Sequence, residues 1–474
     1  MANVRLGRRR FLATVGLAAT GSLGLGAAES ADSTGVPALK RGPVRRVGSE
    51  GAKYFEPWIA ANPRDSSNLV VVGSRYTTEV SAQSTDRMEP VTWFTVDGGS
   101  TWSAGELEGT GALQAGLAFF ADSYATYAPD GKAFCVFAGS REGDRLDLWI
   151  YRSDDGGRHW RGPTILKSSP TRRGLLDYPR LAADLDGGKP RVFIAVAVDG
   201  NEPILGKFKR SGYGCAILRS DDGARTFSVV NFLAPTTLHH DPIDSPLVLP
   251  DGRLFVGFAD YPADPSDKGP RGDITHGRNY AAISGDAGAT FSMPVPICDT
   301  LVQDGFVALA ADQSAGPRRG RIYAVRYSRT SRPPGLGVQT SDDGTAWSMP
   351  APVPDVRAGP IPHAAVAVSS RGVLGVVWIQ GNPGDDVRIF DAAWTSREHP
   401  WDLYFTATID GGATFAHAPL LIASSRTDPK LASRPYGGDY IALAGPPDGS
   451  FHAVWVDTRN GKREIQTVKI EPPA

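Results

Sequence analysis

One eight-residue phrase occurs six times in this chain and restricts its fold more than any other feature. The copies run from Thr95 to Trp102, Ser153 to Trp160, Ser220 to Phe227, Ser284 to Phe291, Thr340 to Trp347 and Thr408 to Phe415. Each has a hydroxyl residue, an aspartate two positions on, a small residue two further and an aromatic at the eighth place. The small residue is glycine in every copy but the third, which has Ala224. The aspartates at 97, 155, 222, 286, 342 and 410 are separated by 58, 67, 64, 56 and 68 residues. An aspartate that accepts turn N–H groups, followed by glycine free to take positive φ, makes a compact hairpin turn. Such a turn recurring between strand-like runs implies a repeated sheet.

The phrase resembles the Asp box of the sialidase or BNR-repeat superfamily, where it joins the third and fourth strands of a β-propeller blade, on the face away from the active site. A second repeat runs out of phase with it. Apolar strands open with polar residues at Glu56, Asp122, Asp177, Asp244, Asp304, His363 and Asp439, which gives seven openings for six boxes. Each unit reads as strands A, B and C, the box, then strand D. The seventh unit (Ile441 to Ala444, Phe451 to Val456, Ile465 to Ile470) ends before its box. A propeller must close its ring or expose a blade edge, so an N-terminal strand at Val44 to Ser49 is expected to supply the missing outer strand. The expectation is an all-β, seven-bladed propeller, with six blades the alternative if the last unit merges with the first.

The chain start, Arg8-Arg9-Arg10-Phe11-Leu12 before a mildly apolar stretch to Ala28, resembles a twin-arginine export signal. The expected organisation is a signal over 1–31, a linker over 32–43 and one propeller domain over 44–474. The expected location is outside the cytoplasm, secreted or in the cell envelope, with no membrane partner after signal removal and a monomeric state. Fifty basic against 51 acidic residues give a net charge of −1 without a basic stripe, which argues against nucleic acid. No cofactor or metal is expected: His239 and His240 precede Asp241, but adjacent residues of an extended strand point apart. Cys135, Cys215 and Cys298 read as small buried hydrophobes, with one disulfide plus one thiol as the alternative.

Strand parity decides where function sits. The A-to-B turns and the boxes share one face and are short. The other face collects the insertions, the starts of the A strands and the ends of the B strands. Carboxylates, arginines and tyrosines around that mouth suit a polar, sugar-like ligand.

The resemblance implies arginines that hold a substrate carboxylate, a tyrosine nucleophile assisted by a glutamate, and an aspartate acid/base. Placed to match are Tyr440, Asp122, Glu56 and Asp177 as catalytic candidates. Arg75, Arg180, Arg326, Arg434, Asp244 and Asp439 are candidates for binding. The first-blade Arg-Ile-Pro phrase of true sialidases is absent; Glu56-Pro57-Trp58-Ile59-Ala60 stands in its place. The functional expectation is an exo-acting glycoside hydrolase on acidic or sialic-acid-like sugars. Two alternatives remain. One is a polysaccharide lyase on uronate, using Tyr178, Arg180 and the His239-His240 pair; the other is a non-catalytic propeller that binds glycan or protein.

Overall fold

The computed structural model describes residues 39–472 except 78–87, 110–118, 141–145, 170–175, 235–238, 243–245, 262–277, 299–306, 329–334, 358, 360, 362, 383–397, 416–417 and 428–439. The expected export signal therefore lies outside the described residues, as do Asp244, Asp304, Arg434 and Asp439.

Seven sheets, antiparallel but for one short parallel pair at the outer edge of blade 2, form a ring, a seven-bladed β-propeller. The innermost strands are Lys53–Ala61 in blade 1, Phe119–Tyr127 in blade 2 and Leu176–Asp186 in blade 3. Blade 4 has its inner strand in two pieces, His239–Pro242 and Leu247–Val248. Ala308–Ala311, Ala364–Val368 and Ala442–Ala444 follow in blades 5 to 7. Each blade's strands pair in chain order from the inside outward, except that Glu106–Leu107 adds to the outer edge of blade 2 and the N-terminal strands to that of blade 7.

Apolar residues alternate along strands that are covered on both faces, so each seam between blades holds its own core. Blades 1 and 2, for example, meet around Val70, Val72, Phe120, Phe137, Trp149 and Trp160. Cys135 and Cys215 are fully buried in such strands.

The last blade closes the ring as the missing outer strand required. Arg45–Val47 pairs antiparallel with Ile465 to Thr467 of Glu464–Glu471, and Lys40–Arg41 pairs with Ile470 and Glu471 farther along. Strand pairing thus starts at Lys40, inside the segment expected as a linker. Val47, with no exposed surface, joins the core between blades 7 and 1 beside Tyr54, Trp93, Val454 and Ile465.

The repeated phrases are the C-to-D turns. In the first, Thr95 Oγ1 donates to Asp97 Oδ1 (2.7 Å) and accepts the Gly99 N–H (3.0 Å), while Asp97 accepts Thr101 N–H (2.9 Å) and Thr101 Oγ1–H (2.6 Å). In the third, Ala224 takes φ +65° to keep the same turn.

The fifth corrects the sequence alignment. Ser341 rather than Thr340 ends the strand, Asp343 rather than Asp342 accepts the turn N–H groups of Thr345 and Ala346, and Asp342 pairs with Arg321 at 2.7 Å. The turn there is one residue shorter: Ser341 Oγ receives the N–H three residues on, where the other copies receive the one four residues on.

This face also ties blades together. Asn68 Nδ2 donates to Thr95 O and Gly156 O, Arg253 to Asp343 O and Arg318 to Ile409 O. These bonds commit the turns of this face to holding the ring together.

Candidate active site

The inner strands of blades 1, 2 and 3 share a local irregularity on the face opposite the turns. Their register slips between Phe55 and Trp58, between Ala121 and Tyr124, and between Asp177 and Arg180. At these bulges Glu56, Asp122 and Tyr178 have φ of +48°, +50° and +50°. Non-glycine residues in that region carry about 1–3 kcal/mol of strain each, and such strain collects at functional sites. Sequence parity aligned Asp177 with Glu56 and Asp122. The structure gives that place to Tyr178, while half-buried Asp177 accepts the Tyr178 N–H at 3.0 Å.

The bulges bring a compact set of side chains together. Tyr440, which precedes the blade 7 inner strand, donates its phenol hydrogen to Asp122 Oδ1 in a short hydrogen bond that crosses blade 1. Glu56 holds the Asp122 segment: its Oε2 accepts the Asp122 N–H at 2.6 Å, and its carbonyl accepts Ser123 Oγ–H at 2.5 Å. Glu56 and Asp122 are 2% and 7% exposed, so both carboxyls are held in a largely water-free setting.

Arg180, 3% exposed, places its guanidinium 4.9 Å from the Tyr440 ring centre, 5.3 Å from Tyr124, 5.8 Å from Trp58 and 5.9 Å from Tyr178. Trp58 and Tyr124, the residues of blades 1 and 2 equivalent to Arg180, stack at 4.1 Å. They also stand in the wall of a cavity of about 270 Å³ among the inner strands.

Burial, then the Asp122 carboxylate, pushes the Tyr440 phenol well above its ordinary value; Arg180 acts in the opposite sense. The phenol therefore stays protonated at neutral pH and reacts only if a base takes its proton, and Asp122 is already bonded to it.

Of the nominated residues, Tyr440, Asp122, Glu56 and Arg180 come together, and Asp177 touches the group through Tyr178. Arg75 sits apart on a B-strand end, ion-paired with Glu89 and lining a separate cavity of about 220 Å³. Arg326 donates to Gln339 Oε1 at 2.9 Å, within its own blade. The His239-His240 segment forms the first piece of the blade 4 inner strand. Among the described residues no cluster of His, Cys, Asp and Glu is arranged to hold a metal ion. Trp58 and Tyr124 were missed at the sequence level. Their signal was the two-residue step from each strained position to the bulky side chain that follows it, legible only once the bulges are known.

No protein-family model and no curated protein matches the chain. Among solved structures it is similar to a protein of unknown function from Dyadobacter fermentans, at 15% identity and a TM-score of 0.48, covering 74% of this chain and 96% of that one. It is similar to the α-L-arabinanase of Penicillium chrysogenum complexed with arabinobiose, at 14% identity and 0.45, covering 74% and 92%. The NanB sialidase of Streptococcus pneumoniae gives 14% identity and 0.46, covering 91% and 70%. Likeness at this level leaves the activity to be read from the side chains.

Proposed function

We propose that this protein is an exported, carbohydrate-active enzyme of sialidase-like type, an exo-acting glycoside hydrolase for acidic sugars. The hydrogen bond from Tyr440 to Asp122, beside Glu56 and under Arg180, carries the reading. A buried, protonated tyrosine in contact with a carboxylate is a nucleophile with its base attached. Asp122 takes the phenol proton as Tyr440 Oη attacks the anomeric carbon, and Glu56 in its acid form protonates the leaving oxygen. Water then cleaves the glycosyl–tyrosine bond, giving a proton to Glu56, and Asp122 returns the other to Tyr440. Arg180 stabilises negative charge developing on the phenolate, and its positive charge favours an anionic sugar. The resemblance of the repeated turns to Asp boxes supports the same reading.

Fluorophore release from acidic and neutral sugar glycosides tests it. Tyr440→Phe and Asp122→Asn should each lower kcat by roughly 10²–10⁴; unchanged turnover in both would refute the assignment.

A second reading is favoured by Tyr178, which occupies the strained position of blade 3 in contact with Arg180. In a lyase, that phenol would move the proton alpha to a uronate carboxylate. Appearance of the ultraviolet absorbance of an unsaturated uronate, abolished by Tyr178→Phe, would select it.

A further inference from the structure

Arg463 ends the loop between Phe451–Asp457 and Glu464–Glu471 of blade 7, on the face of the candidate site. It is 2% exposed, although residues 459–462 just before it are exposed. Its guanidinium lies 5.5 Å from the Phe55 ring centre and 5.2 Å from that of Tyr76, and Nη1 donates to Tyr76 Oη at 2.7 Å. Nε is buried with no acceptor.

Among the described residues no carboxylate is within ion-pair distance of it, because those on neighbouring strands are bound elsewhere. Glu464 pairs with Arg46 at 3.6 Å, Asp457 with Arg459, and Glu89 with Arg75. A buried guanidinium without a counter-charge is costly, and stacking on two rings offsets only part of that cost. Phe55, on which it stacks, is the residue before Glu56 on the same inner strand.

We infer that Arg463 is the anion-recognition point of the ligand that occupies the neighbouring site, taking an oxyanion carried by a sugar, either a carboxylate or a sulfate ester. With Nη1 committed to Tyr76, the Nε–Nη2 edge is the one left for such a group, an edge that fits two oxygens side by side. Tyr76 fixes the plane of the fork. The inference rests on the carbohydrate reading above and names the part of the substrate that this position selects.

Calorimetric titration of the full chain with glucuronate, glucose 6-sulfate and glucose tests it. Wild type should bind at least one of the two anionic sugars about tenfold or more tightly than glucose, the preferred one identifying the oxyanion. Arg463→Met should lower that preference at least several-fold, the remainder coming from the Arg180 charge, and Tyr440→Phe should keep it. Should Arg463→Met not fold, Arg463→Lys and Tyr76→Phe replace it. The first keeps the charge without the fork and should lose most of the preference; the second frees Nη1 and should weaken it several-fold.

Equal binding of all three sugars by wild type, or an undiminished preference in the Arg463 variants, overturns the inference. The two readings fail separately. Loss of turnover in Tyr440→Phe with anion preference intact in the Arg463 variants sinks only the Arg463 role. Anion preference lost in those variants, with turnover unaffected by Tyr440→Phe and Asp122→Asn, sinks only the catalytic assignment.

Discussion

His452 provides a quantitative test of the ring-closing seam. It lies on the blade 7 strand Phe451–Asp457, is 1% exposed, and has no hydrogen-bond partner at either ring nitrogen among the described residues. A Cβ at Gly99, in the first turn of blade 1, would lie 3.0 Å from the ring, so blade 1 closes directly over it. The charged groups that act on it are Lys469 on the paired strand and Asp448, which bond each other at 2.8 Å.

Burial, helped by Lys469 and opposed by Asp448, lowers the imidazole from 6.5 to about 4. Above pH 6.5 the ring is neutral in both folded and unfolded chains, and stability is at its full value. As pH falls below 6.5 the unfolded chain takes up a proton that the folded chain refuses, and stability is lost until about pH 4. That interval, at about 1.4 kcal/mol per pH unit, amounts to about 3 kcal/mol. Urea unfolding between pH 4 and 8 measures it. His452→Leu fills similar space without a titrating group and should remove about 3 kcal/mol of the wild-type change between pH 6.5 and 4. Exposed His159 titrates in the opposite sense, its pKa raised by its bond to Asp155, but it is present in both proteins and cancels in the comparison. A pH dependence unchanged in His452→Leu would refute the argument, because it would mean that the ring is solvated or paired.

Other outcomes follow from the turns and the closure. Asp222, Asp286 and Asp343 are held at about 2: for Asp222 hydrogen bonds led by Thr226 outweigh burial, for Asp286 those from Thr290 dominate, and for Asp343 those from the Ala346 and Thr345 N–H groups. Their contribution is present above about pH 4 and lost as pH falls toward 2, so acid unfolding should show this second window unchanged in His452→Leu. Asp343→Ala should cost roughly 1–2 kcal/mol in urea unfolding, while Asp342→Ala, removing a surface pair with Arg321, should cost less than about 0.5 kcal/mol; the reverse order would restore the alignment read from sequence. Val47→Asp should destabilise by roughly 3 kcal/mol or more, since it places a carboxylate in the blade 7–blade 1 core, and thermal unfolding would show it.

The architecture was legible because its signals are local. A hydroxyl, an aspartate and a glycine at fixed spacing specify a turn whatever surrounds them, and the seventh unit's missing turn implied the N-terminal strand that the structure shows at Arg45–Val47. Local signals also have a resolution limit of one residue. Thr340-Ser341-Asp342-Asp343 offers two registers to the same phrase, and only the strand end at Ser341 selects one.

The same limit shifted the site. Asp177 and Tyr178 are neighbours with equal claim to open the blade 3 inner strand, and the extra residue of a bulge is invisible to a period of two. Once the bulge is placed, Glu56, Asp122 and Tyr178 fall into equivalent strained positions, and Trp58, Tyr124 and Arg180 two residues later into equivalent facing ones.

Arg463 was beyond sequence reading for a different reason. Asn460-Gly461-Lys462-Arg463 has the composition of a solvated basic turn, and its burial comes from Phe55 and Tyr76, nearly four hundred residues away in the chain. Ring closure sets that contact: the N-terminal strand draws blade 7 against blade 1, and the guanidinium comes to rest on the rings beside Glu56. On the role inferred for Arg463, the seam that completes the fold also completes the candidate site, and a change that loosens it, such as Val47→Asp, should weaken ligand binding under conditions where the other six blades remain folded.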